Sequence, residues 1–221
     1  MILEIACFTS QDAFIAIEGG ADRIELCKSI NSGGLTPSVA SARELCAESP
    51  VPVFIMIRPT GKNFYYDETN FELMKNQLEY FKELGCAGFV FGCLQPDGKV
   101  NKKQCKELIK LAKPLSCTFH RAFDRTPDLS KALEDIIDCG FDRLLTSGGA
   151  GNAIDNLNVL KGLFKQAGKR IIIIPGGGVR ANNMLAIIEA TKCKEIHSAA
   201  THPTRRRISL DEVKAMKEVL Q

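Results

Sequence analysis

No apolar run in this chain approaches the roughly 20 residues needed to cross a bilayer, and the opening MILEIACFTSQDAF has no basic segment followed by an apolar core. Neither membrane insertion nor secretion is expected, and the cytoplasm is the expected location. Charge of one sign is scarce as well: the formal net charge is +3 over 221 residues, and only Arg205, Arg206 and Arg207 form a basic run. That is too little for a nucleic-acid surface, and the aromatics are not interleaved with basic residues as single-strand binding requires. Metal clips are absent. The nine cysteines include no C-x-C or C-x-x-C pair, their odd number rules out complete disulfide pairing, and the five methionines form no stripe.

What is present is a core of 45% hydrophobic residues and a repeating pattern of short branched-apolar runs, each followed by a longer stretch with helical spacing. Strands are expected at Ile2–Cys7, Asp22–Cys27, Val53–Arg58, Ala87–Gly92, Leu115–His120, Asp142–Ser147, Arg170–Pro175 and Glu195–Ala199. The intervening helices are expected at Ser10–Glu18, Pro37–Glu48, Glu68–Leu84, Lys102–Ala112, Leu129–Cys139, Ile154–Ala167, Ala181–Ala190 and Leu210–Leu220. GGADRIEL, LGCAGFVF and CGFDRLLT repeat the same passage from a helix-ending glycine into a strand. Eight such units leave no room for a second domain, so residues 1–221 are expected to form a single (β/α)8 TIM barrel. An open doubly wound sheet would ordinarily carry a glycine fingerprint after its first strand, whereas here CFTSQD follows.

In such a barrel the working face lies where the strands run out. Glu25 and Cys27 end strand two, Arg58 ends strand three, His120 and Arg121 end strand five with Asp124 just beyond, and strand eight carries His197 and Ser198. Alternation along a strand allows Glu25, Arg58 and His120 to converge inward. Buried Arg and Glu pairs can also serve packing alone, and Glu4 and Arg23, near strand starts, are read that way. Strand six runs into Ser147 and a glycine-rich turn, and strand seven into Gly176, Gly177 and Gly178 ahead of a helix. Amides there suit a phosphate or carboxylate. Among the cysteines, Cys46, Cys105 and Cys139 sit in expected helices as small hydrophobes, whereas Cys7, Cys27 and Cys93 lie at strand ends, where soft thiolates would suit Cu(I).

GGADRIELC, SGGLTPS, VPVFIMIRP, FVFG, TFHRAFD, LLTSGG and IIPGGG followed by HSAA occur in this order, and together they resemble the CutC family over nearly the whole chain. The resemblance implies a cytosolic β/α barrel, a link to copper homeostasis and Cu(I) binding through cysteines. It places Glu25, Cys27, Arg58, Pro59, His120, Arg121, Asp124, Ser147, Gly176, Gly177, Gly178 and His197 at motif positions. Family members have a longer segment after strand eight than the Thr201 to Ile208 stretch found here.

Two functions follow. In the first, the protein handles copper without catalysis and Cys27, with one or two spatial neighbours, holds Cu(I). In the second, it is an enzyme on a phosphorylated or carboxylated metabolite: Arg58 and the Gly176–Gly178 turn grip the anion, and Ser147, His197 and Ser198 add contacts. Glu25 or His120 then serves as general base and acid, with Arg121 or Asp124 orienting the imidazole. No lysine ends a strand, which disfavours a Schiff-base aldolase. A homodimer is expected only because two-fold assemblies are commonest.

Overall fold

The computed structural model describes residues 1–202, 204 and 207–220; Arg205 and Arg206 of the basic run lie outside the described residues, and Arg207 is exposed. Eight parallel strands alternate with eight helices in a TIM barrel, as the βα repetition predicts. The units are β1 (Ile2–Cys7) and α1 (Ser10–Glu18), β2 (Arg23–Leu26) and α2 (Val39–Glu48), β3 (Val53–Met56) and α3 (Glu68–Glu83), and β4 (Gly88–Phe91) and α4 (Lys102–Ala112). They continue with β5 (Ser116–Phe119) and α5 (Leu129–Cys139), β6 (Arg143–Thr146) and α6 (Leu157–Ala167), β7 (Ile172–Pro175) and α7 (Ala181–Thr191), and β8 (Glu195–Ser198) and α8 (Leu210–Val219). Among the described residues no helix is long and apolar enough to span a membrane.

Most strands run for four residues, shorter than the sequence suggests, because a residue at each end of most of them lies outside the ladder. Helix α6 begins later than Ile154: Asn152 and Asp155 cap each other around a 3-10 turn over Ala153–Asn156. Side-chain caps set several other starts, with Thr9, Asp67 and Asp128 accepting from the amides of Asp12 (3.0 Å), Asn70 (2.8 Å) and Lys131 (3.0 Å).

The repeated Gly-x-Asp-Arg passage has a common geometry. Asp22 accepts from the Leu3 amide at 2.8 Å and Asp142 from the Cys117 amide at 2.8 Å, so each ties the start of its strand to the strand before it. The following arginines, Arg23 and Arg143, turn into the barrel and meet on Glu195. The ladder runs continuously from β7 through β6, β5, β4, β3, β2 and β1 to β8. Between β7 and β8 the barrel closes by packing: a Cβ on Gly176 would lie 3.2 Å from the His197 Cβ and 2.5 Å from Leu145 Cδ1, so this seam needs a glycine.

Candidate functional site

Inward-facing residues of successive strands fill the barrel in layers, as its pleat demands. Above the filled layers remains an inner cup of about 240 Å³, into which Glu25, Cys27, Met56, His120 and His197 project between walls that include Phe8, Phe64 and Leu145. A wider outer cleft of about 1020 Å³ opens over the loops after β3, β4, β5 and β6. Gly33, Phe64 and Arg121 line both, so the two spaces share a common border.

The cup floor is an ion-pair lattice. Arg23 bonds Glu4 and Glu195, Arg143 reaches Glu195 at 3.0 Å, and His197 Nδ1 lies 2.7 Å from Glu4. Burial opposes ionisation of Glu4, but the hydrogen bond with His197 and the charge of Arg23 outweigh it and bring its pKa down to about 2. Burial likewise opposes charge on His197, yet Glu25's charge and the Glu4 hydrogen bond prevail and raise its pKa. The pairing of Glu4 with Arg23 is the structural role their early strand positions suggested.

Glu25 stands at the edge of this lattice without sharing it. Its Oε2 is buried and has no hydrogen-bond partner. Burial pushes its pKa up to about 7, the positive charge of His197 pulling it back and Glu4 adding repulsion. Facing the same cup is His120. Its Nδ1 accepts a hydrogen bond from the Ala122 amide at 3.4 Å, which leaves the proton on Nε2, and Nε2 is buried without a partner. Burial, reinforced by the charge of Arg58, holds His120 down to about 3, so the ring is a neutral donor. The imidazole sits over Gly92, where a Cβ would come within 2.8 Å of Nδ1, and meets Phe64 edge-on at 4.8 Å.

The other expected contacts are placed differently. Arg58 lines the outer cleft, and its Nη1 donates to the carbonyls of Ser32 at 2.6 Å and Gly34 at 2.8 Å, pinning the loop after β2. Arg121 and Asp124 do not orient the imidazole. The turn after His120 carries Asp124 back to β6, where it accepts from Thr146, from the Ser147 hydroxyl at 2.9 Å and from the Gly149 amide at 3.2 Å. Arg121 bonds Asp124 at 2.8 Å and the Ser147 hydroxyl at 2.7 Å, so Ser147 serves this cluster. Gly177 and Gly178 form one wall of the cup, while Gly176 lies at the seam. The amide of Ala181, at the start of α7, already receives the Glu212 carboxylate at 2.9 Å. Ser198 alternates away from the cup and donates to the Val179 carbonyl at 2.7 Å.

Two donor sets bear on metal binding. Cys27 is the one cysteine lining the cup; its thiol lies 3.4 Å from the Cys7 carbonyl, and burial together with the charge of Glu25 pushes its pKa well above the ordinary thiol range. Beside it is Met56: a Cβ on Gly34 would be 3.5 Å from both Cys27 Sγ and Met56 Cε. This thiol and thioether are soft donors of the kind that fit Cu(I). Glu4, Glu25 and His197 also bring ligand atoms within 4.8 Å of one another, but Arg23 already neutralises Glu4. Phe64, Met56 and Phe8 were not legible as site residues, because an apolar side chain in a loop or strand gives no sign of bordering a cavity.

A family model for CutC matches residues 1–202. The chain belongs to the CutC family. It is 40% identical over 199 residues to a human relative named copper homeostasis protein cutC homolog, covering 90% of this chain and 73% of the relative. A CutC family protein of Aliivibrio fischeri (strain MJ11) is 41% identical over 216 residues, which span 96% of this chain and 87% of that protein. A solved CutC structure from Streptococcus agalactiae superposes with a TM-score of 0.85 at 30% identity, covering 90% of this chain and 98% of that chain. A phosphoribosylanthranilate isomerase structure from Thermotoga maritima matches with a TM-score of 0.66 at 15% identity, and shares the fold. The CutC match ends at residue 202, between β8 and α8.

Proposed function

We propose that the cup of this CutC barrel is a proton-transfer site for a small anionic metabolite. The observation that carries the reading is that Glu25 Oε2 and His120 Nε2, both buried and both without a protein partner, belong to side chains lining one cavity at the strand ends. Native proteins leave few such atoms unsatisfied, and a ligand is the economical partner for both. With a pKa near 7, Glu25 exists in both protonation states at neutral pH and takes or returns a proton. Neutral His120 donates its Nε2–H to an oxygen on which negative charge develops. Its pKa near 3 makes it a hydrogen-bond donor here and not a cationic acid. His197, whose pKa the charge of Glu25 and the Glu4 hydrogen bond raise, lies beside the reacting carboxylate.

The test needs no prior substrate. Carboxylated and phosphorylated carbonyl metabolites are incubated with the protein in D2O, and deuterium entering a carbon beside the carbonyl is followed by NMR. Exchange lost in Glu25→Gln with binding kept is the expected result. No exchange with any member of the set that binds would overturn the reading.

The copper link carried by the name of the human relative gives a second reading, favoured by Cys27 and Met56 sharing the cup. These two residues would hold Cu(I), with the Cys27 proton lost on binding. Competition of reduced protein with a Cu(I) chelator should then show stoichiometric binding abolished in Cys27→Ser and retained in His120→Ala. Equal, weak binding in all three proteins leaves the proton-transfer reading alone. A cytoplasmic setting, where thiols stay reduced, suits either reading.

A further inference from the structure

We infer that the outer cleft is a separate subsite for a phosphate group, so that the metabolite is two-part: a compact head in the cup and a phosphorylated tail in the cleft. The inference deepens the proton-transfer reading and rests on it for the head.

The two cavities differ in kind. The cup is small, walled by Phe8, Met56, Phe64 and Leu145, and its charges are matched below it by the Glu4, Arg23 and Glu195 lattice. The cleft is about four times larger and is bordered by Arg58, Lys62, Arg121 and Arg125 against a single acid, Asp124. That acid is consumed: its two oxygens accept from Thr146, Ser147, Gly149 and Arg121. Arg58 and Arg121 are partly consumed too, by loop carbonyls and by Asp124. Lys62 and Arg125, on the loops after β3 and β5, are exposed and enter no ion pair among the described residues. Four cations against one acid leave the cleft three positive charges in excess, which favours a dianion over a single carboxylate.

Continuity comes from Phe64. It lines both spaces, stacks edge-on to His120 at 4.8 Å, and lies under the Arg58 guanidinium at 4.6 Å. A ligand leaving His120 therefore passes Phe64 and arrives among the cations. The start of α7, where barrels often hold phosphate, has its Ala181 amide occupied by the Glu212 carboxylate. That leaves the cleft as the better place for a second anion.

The probe is inorganic phosphate, titrated into 15N-labelled full-length protein at constant ionic strength, with acetate as the comparison anion. Saturable shifts are expected at the amides of residues 61–64, 125 and 149–151. In a Lys62→Glu/Arg125→Glu double variant, whose unfolding temperature is checked against wild type, affinity should fall by about tenfold or more. Lys62→Gln/Arg125→Gln should give a smaller loss in the same direction. Binding unchanged by the charge reversal, shifts centred on Gly177 and Gly178 instead, or acetate binding more tightly than phosphate would each overturn the subsite. Glu25→Gln should leave phosphate binding untouched, so failure of the exchange experiment with intact phosphate binding would refute the proton-transfer reading and not the cleft.

Discussion

Glu25 costs the fold some stability for the sake of what it can do. Its folded pKa, near 7, lies above the ordinary carboxylate value of 4.5, so the native state prefers the protonated form. Folding is thus favoured fully below about pH 4.5, and this preference is lost as pH rises through about 7. Glu25→Gln, which cannot ionise, should unfold at a higher temperature than wild type at pH 8, with a gain on the order of 2 kcal/mol that vanishes by pH 4.5. Thermal melts by circular dichroism at the two pH values check it; a constant difference would remove ionisation as the cause. In catalysis the sign is set by the reaction direction: if Glu25 abstracts the proton, kcat/KM rises through about pH 7 with Glu25, and His120, which titrates near 3, adds no further limb between about pH 5 and 9. A second residue-scale prediction concerns Gly92. Its Cβ would come within 2.8 Å of His120 Nδ1 and 2.9 Å of Phe119, so Gly92→Ala should displace the imidazole and shift the His120 ring signals in NMR spectra. Glu25 and His120 were legible as inward polar residues at strand ends, because strand alternation and barrel topology suffice to place them, whereas His197 and Ser198 of strand eight were not told apart. The roles of Arg58, Arg121 and Asp124 were not, since their partners are carbonyls, hydroxyls and amides on loops that return from elsewhere in the chain.

At the scale of elements, the ends of helices and strands carry the specificity of assembly. The Glu212 carboxylate, on the first turn of α8, reaches the first amide of α7 and offsets the positive end of that helix. Glu212→Ala should cost about 1 kcal/mol, measured by urea denaturation at neutral pH, and a change within error would make the contact incidental. The eight helices were legible from periodicity and caps, and most boundaries fall within two residues of expectation. α6 differs because the Asn152 and Asp155 capping box turns the chain through a 3-10 segment first. That box reads in the sequence only as Asn-x-x-Asp, a spacing too common to mark a boundary by itself.

On the scale of the molecule, the barrel is joined twice, once by its ladder and once by charge. Where β7 and β8 lack a ladder, Glu195 of β8 binds Arg143 of β6 and Arg23 of β2, and Arg23 binds Glu4 of β1. Arg23→Met would take one cation from each of two buried carboxylates, leaving Glu195 with Arg143 and Glu4 with His197, and a loss of about 3 kcal/mol is expected, read as a lower denaturation midpoint with its slope preserved. The amino-acid sequence by itself determined the βα alternation and the set of ionisable residues at the strand ends, because these follow from periodicity and from the neighbours each residue has along the chain. Only the tertiary structure decided which polar atoms are spent and which are left over. Hydrogen bonds are satisfied across distances in sequence as large as the 193 residues between Glu4 and His197, so Glu25 Oε2 and His120 Nε2, two of the few buried side-chain polar atoms left without a partner, become visible only in the folded arrangement.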